Sequence, residues 1–194
     1  MRLLLCLTLA SLPAATIAGC PKPGEMPKRV IFADGSVEED LQITDGVLET
    51  LNIDADGSES RLTAKYGLYH TSLTGQAEIA WTWPTLDLPP AEQLPVDKEV
   101  SFDAVVEDIG ADQKFQMRYS FTSHGPDVLA VGECSVPVIW LDERQDFSDG
   151  SGSIVSQIWV DPERMLVLKT ERDKLDESGT IVAHKAALAT GFEM

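Results

Sequence analysis

An acidic segment in the first third of the chain has the residue spacing of a calcium-binding loop. Asn52, Asp54 and Asp56 stand at alternate positions and Gly57 follows, as the oxygen ligands and the turn glycine of such a loop do. Thr63, however, occupies the last ligand position, which requires a bidentate glutamate. The flanking residues also alternate as in strands, whereas such a loop lies between helices. We therefore predict a plain acidic hairpin turn, with Asn52, Asp54 and Asp56 as adventitious calcium ligands at most.

Two tryptophans are the candidate surface for an aromatic or sugar ligand. Trp81 and Trp83 are two positions apart, so in a strand they share one face together with Ile79. Such a stripe can stack on a ring, but large aromatic side chains also dominate protein cores. With an apolar neighbour in register we expect core packing, and Trp81 and Trp83 remain the candidate ligand-binding residues.

The other reactive side chains form no recognisable catalytic or metal-binding motif. No zinc-ligand spacing links the three histidines, His70, His124 and His184. Adjacent acidic pairs, Glu38 with Glu39 and Asp142 with Glu143, point to opposite faces of a strand, so we expect them on solvated surface. The sequence also contains no nucleophile elbow, zinc-protease motif or Cys-x-x-Cys. We therefore expect no enzymatic activity, no catalytic residue, no cofactor and no metal.

The beginning of the chain has the composition of a secretory signal peptide. Arg2 is the only early charge, and an uncharged, mostly apolar run follows as far as Ala18. This run is interrupted by Pro13 and is shorter than the roughly 20 residues of a membrane-spanning helix. We predict that residues 1–19 are a signal peptide and that the chain is exported.

The end of this signal, Ile17-Ala18-Gly19-Cys20, resembles the lipobox of bacterial lipoproteins. In that family the cysteine sulfur receives a diacylglycerol, the peptide is cut before it, and the new amine is acylated. The resemblance implies lipidation of Cys20 and a stable membrane anchor, because several acyl chains hold where one does not. Pro21 after the cysteine implies the outer membrane, with the domain facing the periplasm. The alternative is cleavage after Ala18 and a Cys20–Cys134 disulfide in an oxidising compartment.

Beyond the signal peptide the chain is strongly acidic. Without Arg2 it has 14 Lys and Arg against 32 Asp and Glu, a net charge of −18. This charge argues against nucleic acid and anionic lipid surfaces as partners, and it suits a cationic partner. Residues 20–28 contain three prolines and a glycine, which predict an extended tether between the anchor and the domain.

Residues 29–194 predict a single all-β domain that positions these side chains. Asp-Gly turns at residues 34, 45 and 56 recur every 11 residues between alternating segments, as in a hairpin meander. Four prolines in residues 84–97 predict a long connection. We predict an antiparallel meander of about ten strands with no substantial helix. It forms a curved sheet or half-barrel or, alternatively, a two-sheet β-sandwich.

The second Asp-Gly turn also predicts its own loop length. Three apolar residues on each side of it share a face: Val37, Leu41 and Ile43 before it, and Val47, Leu51 and Ile53 after it. A two-residue loop would place the two sets on opposite faces of the hairpin. We therefore predict a three-residue loop, Thr44-Asp45-Gly46, with a G1 bulge and a positive φ at Gly46.

Two hydrophobic runs dominate the C-terminal third of the chain. The first is Gly132-Glu133-Cys134-Ser135 with Val136 and Val138, and the second is residues 158–163 leading into residues 166–169. These runs resemble the last hairpins of uncharacterised periplasmic half-barrel proteins. In the broader lipoprotein-carrier group a curved sheet holds acyl chains beneath helices, and this sequence has no segment long enough for those helices.

Three functions compete on these observations. The anchor, the tether and the acidic surface favour a non-catalytic envelope lipoprotein that binds a protein partner or contributes to envelope assembly. A module for an apolar or lipid ligand is the second, with Trp81, Trp83 and Trp140 around a concavity. The third is a hydrolase built on carboxylates that converge from separate strands.

Overall fold

The computed structural model describes residues 19–85 and 87–194, so the predicted signal peptide lies outside the described residues except for Gly19. The described residues form twelve strands. They are β1 (Arg29–Phe32), β2 (Val37–Thr44), β3 (Val47–Ile53), β4 (Glu59–Lys65), β5 (Tyr69–Thr74), β6 (Ile79–Thr82), β7 (Glu99–Asp108), β8 (Gln113–Val131), β9 (Cys134–Phe147), β10 (Ser153–Asp161), β11 (Leu166–Leu175) and β12 (Ile181–Glu193). A single turn of 3-10 helix, Ala91–Gln93, is the helical element of this part of the chain.

The strands form a closed up-and-down barrel. Each strand pairs antiparallel with its neighbours in sequence, and β12 pairs back onto β1. The predicted all-β antiparallel meander is confirmed, but the sheet is neither a half-barrel nor a sandwich. The short strand β1 accounts for the difference, because it pairs with β2 on one side and with β12 on the other and leaves no free edge.

One end of the barrel is open and the other is closed by the proline-rich connection. The turns after the odd-numbered strands surround the open end, called the mouth below. At the opposite end the β6–β7 connection buries Leu88, Ala91 and Leu94 in the barrel core. The Tyr69 hydroxyl donates a hydrogen bond of 2.9 Å to the carbonyl of Pro89 and fixes this segment. The predicted connection is therefore a plug within one barrel.

Two hydrophobic clusters lie on opposite faces of β9 and β10. Ile139, Leu141 and Ile158 belong to the first cluster, which packs around the plug. Val138 and Trp159 alternate with them and belong to the second. The second cluster joins the tip of the β8–β9 hairpin to β10, β11, β12 and β1. The long hairpin therefore folds over the barrel wall and covers it.

The β2–β3 turn differs from its prediction. Thr44 pairs with Val47, so the loop has two residues, Asp45 and Gly46, and not three. Both have positive φ, 52° and 75°, which is the type I′ combination that matches the twist of paired strands. The positive φ predicted at Gly46 is confirmed, and the predicted loop length is wrong.

An irregularity in β2 resolves the mismatch of faces that the shorter loop creates. The register of β2 against β3 shifts between Glu39 and Gln42. On the side of this shift away from the turn, Glu38 pairs with Asn52. Glu38 and Asn52 both line the barrel interior. On the same face of β3, Thr50 is buried, whereas Leu51 on the other face is only half-buried. The polar face of this hairpin thus points inward, which the apolar alternation did not predict.

No helix in the described part of the chain is long and apolar enough to cross a membrane.

Candidate functional site

A cavity of about 580 Å³ occupies the half of the barrel interior next to the mouth. All twelve strands contribute to its lining, so it is the lumen of the barrel and not a surface groove. A smaller cavity of about 130 Å³ lies against it and shares Glu38, His70, Thr170 and Arg172 with it. The larger volume is typical of small-molecule sites, which span about 300–1,000 Å³.

The walls of the lumen near the mouth are apolar and partly aromatic. They comprise Leu73, Ile79, Phe115, Met117, Phe147 and Ile154. The rings of Phe115 and Phe147 lie 6.0 Å apart across the β8–β9 pair. These side chains face inward because the strands alternate, and each contributes every second residue to the lumen.

The floor of the lumen is polar. Strand β11 contributes Thr170 and Arg172, and β9 contributes Gln145 together with Glu143 below it. The Arg172 Nε donates to the Ser156 hydroxyl at 3.4 Å. Arg172 forms no ion pair within 4.0 Å with any described carboxylate. A guanidinium carries five N–H donors, so most of the donors of Arg172 have no protein acceptor.

Burial controls the ionisation of the floor. It raises the pKa of Glu38 to about 7 and lowers the pKa of His70 to about 4, and the positive charge of Arg172 lowers the latter further. Burial also raises the pKa of Glu143, against the opposing effects of Arg172 and of hydrogen bonds from Gln145 and Ser156. His70 is therefore neutral at neutral pH, and Arg172 is the permanent charge of the floor.

Glu38 and Glu143 bear on the hydrolase hypothesis, because both carboxyls line the floor and both have raised pKa values. In both cases burial is the leading cause, and neither carboxylate contributes to the pKa shift of the other. A catalytic pair that shares a proton would show that mutual effect. The expected absence of enzymatic activity stays a prediction.

Two polar atoms of the lumen residues are left without a partner. Asn52 Oδ1 and Thr170 Oγ1 are shielded from solvent, and neither has a hydrogen-bond partner among the described residues. Buried polar atoms are nearly always paired, because an unpaired one costs about 1–3 kcal/mol. Both atoms are also closed off from the lumen space, so they add to the cost of this polar interior and do not themselves contact the cavity.

The mouth is surrounded by acidic residues. Each of its six turns carries one or more acidic residues: Asp34, Asp56, Glu78, Asp112, Asp149 and Asp176 are examples. Four of them, Asp34, Asp56, Asp149 and Asp176, accept a backbone hydrogen bond of 2.9–3.0 Å from the serine two residues later. Hydrogen bonds from the hydroxyl or backbone of these serines lower the pKa of all four carboxyls. The mouth thus carries a ring of negative charge, called the acidic rim below.

The candidate tryptophans lie in different parts of the molecule. Trp81 lines the lumen, and its indole N–H donates to the Tyr119 hydroxyl at 2.9 Å. Trp83 packs edge-on against Tyr69 in the core, with its N–H bonded to the carbonyl of His70 at 2.7 Å. Trp140 stacks on the second-cluster residue Trp159 with ring centroids 5.8 Å apart. Of the three tryptophans proposed for a concavity, Trp81 lies in the lumen lining.

The calcium-loop candidates and the histidines do not come together. Asn52 and Asp54 both line the lumen, and Asp54 and Asp56 belong to the β3–β4 hairpin turn, where the backbone N–H of Ser58 donates to Asp56. His124 pairs with Asp142 at 2.8 Å and His184 with Asp173 at 2.7 Å, on separate strands. No group of three or more possible histidine, cysteine or acidic metal ligands exists in the part of the chain that the structure describes.

Cys20 lies at the tip of the β8–β9 hairpin, where it forms a disulfide with Cys134. This disulfide is the alternative that the sequence left open. It and the predicted lipidation exclude each other within one molecule, because each uses the single sulfur of Cys20. Cys20 lies next to Cys134 because of residues 20–28, which the sequence predicted as an extended tether. Buried Arg164 donates hydrogen bonds of 2.7 and 2.8 Å to the carbonyls of Lys22 and Glu25. These bonds hold the segment on the β10–β11 turn beside Cys134.

No protein family and no curated protein matches the chain. Its fold is similar to the crystal structure of the hypothetical lipoprotein YmcC from Escherichia coli K12, with a TM-score of 0.52. The two share 11% sequence identity over 86% of this chain and 82% of that chain. At this identity the likeness concerns the fold alone.

Proposed function

We propose that this chain is an exported protein of the bacterial cell envelope whose barrel binds a small apolar or amphipathic ligand in its lumen. The observation that carries the proposal is the 580 Å³ cavity, which has apolar walls and one mouth. Such enclosed, largely apolar cavities with a few polar groups are the usual form of small-molecule sites. The similarity in fold to a hypothetical lipoprotein supports the envelope as the location.

Filling the lumen tests this proposal directly. Ala187 lies on β12 and lines the cavity, opposite Thr170, so Ala187→Trp places an indole inside. We expect the purified parent protein to bind the apolar dye Nile red with a blue-shifted emission. Because the indole occupies the volume that the dye needs, Ala187→Trp should weaken binding by about tenfold or more.

The neighbouring residue provides the matched control. Ala186 is exposed on the opposite face of the same strand, so Ala186→Trp adds the same side chain outside the barrel. It should bind the dye like the parent, and thermal unfolding should show that both variants fold. If the parent binds no dye, or if Ala187→Trp binds as tightly as Ala186→Trp, ligand binding in the lumen is disproved.

A second proposal concerns membrane attachment through Cys20, which the lipobox and the fold neighbour favour. Cys20 precedes Cys134 by 114 residues and leaves the cytoplasm first, so the membrane enzymes reach its thiol before its disulfide partner arrives. We therefore infer that Cys20 is acylated in the membrane-bound protein and that the disulfide is the form of chains that escape acylation. Since Cys20 lies at the closed end, the mouth would then face away from the membrane.

The intact mass of membrane-extracted protein distinguishes these two forms. We expect a lipid mass increment on the parent and on Cys134→Ser, which keeps the acylated sulfur. Cys20→Ser should lose both the mass increment and the partitioning into membranes, because the variant has no sulfur to acylate and therefore no acyl chains to anchor it. A membrane fraction that contains only unacylated, disulfide-bonded protein would rule out the anchor.

A further inference from the structure

The floor of the lumen gives information about the head group of the ligand. We propose that the ligand is a single-chain amphiphile with one anionic head, of the long-chain carboxylate class, whose head binds Arg172 and whose chain lies along the apolar walls toward the mouth. This inference rests on the proposed binding function and specifies its substrate class.

Arg172 carries the first step of the argument. Its one side-chain hydrogen bond to a described residue is the 3.4 Å bond to Ser156, and the positive charge of Arg172 affects the pKa of buried Glu143 although the two form no ion pair within 4.0 Å. A guanidinium forms its strongest bonds with a carboxylate or phosphate, which accepts two parallel N–H bonds. Arg172 therefore has N–H donors without an acceptor, while burial raises the pKa of the two carboxyls that line the floor beside it, Glu38 and Glu143, and so favours their neutral forms.

The walls specify the rest of the molecule. Between Arg172 and the mouth the lumen is lined mainly by Met117, Phe115, Phe147 and Ile79. An unbranched hydrocarbon chain can leave water along this surface, and each buried methylene contributes about 0.8 kcal/mol. A compact polar ligand such as a free sugar or phosphate would leave these aromatic walls exposed to water.

The acidic rim limits the total charge of the ligand. Its carboxylates repel anions, and this repulsion grows with each negative charge that a ligand carries through the mouth. The charges act over a Debye length of about 8 Å at physiological salt, so they affect entry more than binding at the floor. A monoanion with an apolar body fits both conditions. The association rate of the carboxylate should therefore rise with salt concentration.

Three ligands with the same chain and different heads test the inference: palmitate, hexadecanol and hexadecylamine. Their affinities are measured by displacement of Nile red from the parent protein and from Arg172→Met, Arg172→Lys and Lys185→Met. Arg172→Met should weaken palmitate by about tenfold or more, as expected for a lost charged hydrogen bond, and leave hexadecanol unchanged. Arg172→Lys should retain part of the preference for palmitate. Lys185 pairs with Arg172 across the β11–β12 ladder and also lines the lumen, beside Asp34, so Lys185→Met tests whether this second cation binds the head. It should weaken palmitate binding by less than about threefold, and a loss as large as that of Arg172→Met would overturn the assignment of the head to Arg172.

The outcomes separate this inference from the proposed function. If the parent binds all three ligands equally, or prefers the amine, the lumen binds amphiphiles and the anionic head is wrong. If Arg172→Met also binds hexadecanol more weakly, its lumen has collapsed, and the result for Arg172→Lys is used instead. If Arg172→Lys shows no preference for palmitate over hexadecanol, the assignment of the head group is overturned. If no ligand and no dye binds the parent, the proposed function fails and this inference fails with it.

Discussion

Replacing Gly67 by alanine lowers the free energy of unfolding by about 3–5 kcal/mol, a loss seen when a substitution collides with fixed backbone. Gly67 and Tyr66 are the central residues of the β4–β5 turn, with φ values of 71° and 54°. A Cβ at position 67 would overlap the backbone carbonyl of Met165 on the β10–β11 turn. This contact joins the β4–β5 and β10–β11 turns at the closed end of the barrel, so the substitution strains the packing between two turns and not one loop alone.

Gly57 separates the two causes of this loss. It also has a positive φ, 84°, but no described atom lies within 4 Å of the place where a Cβ would be. Gly57→Ala should therefore cost only the left-handed backbone term, about 1–2 kcal/mol. Urea unfolding of both variants measures the difference. Equal losses at the two positions would show that the Met165 carbonyl yields easily and that the two turns do not brace the closed end.

The sequence predicts the local geometry well because turns depend on few residues. The Asp-Gly turn at residues 45 and 46 has the expected positive φ at its glycine, and β2 and β3 lie where alternation predicts them. Closure of the barrel is different in kind. It depends on Arg29 pairing with Glu193, which no local pattern encodes. The predicted number of strands, about ten, is close to the twelve observed, but the absence of free edge strands could not be predicted.

The candidate site escaped prediction for a physical reason. Alternation assigns the polar residues of a strand to solvent, yet in a barrel with a ligand cavity some of them face the lumen. Glu38 is therefore predicted on solvated surface, and no sequence pattern singles out Arg172. One signal was available in β9, where Leu141, Glu143, Gln145 and Phe147 share a face. Two polar residues inside an otherwise apolar face indicate a buried polar site.

The same buried chemistry makes the stability of the barrel depend on pH through Glu38. Because burial raises the pKa of Glu38 from its ordinary value of 4.5 to about 7, the folded state binds the proton more tightly than the unfolded state. The stability that this group contributes is complete below pH 4.5 and is lost as the pH rises through about 7. We therefore expect Glu38→Gln, which cannot ionise, to stabilise the protein above neutral pH and to have almost no effect at pH 4.5.

The expected gain is about 1–2 kcal/mol at about pH 8, below the roughly 3 kcal/mol of the full shift because water in the lumen screens the charge. Urea unfolding at three pH values between these limits measures it. Glu39→Gln is the matched control, because Glu39 is the adjacent residue on the outer face and pairs with Arg29. Its replacement removes an ion pair and should give no gain at any pH. A gain from Glu38→Gln that is equal at low and high pH would show that its carboxyl is not enclosed, and the floor of the lumen would then be open to bulk water.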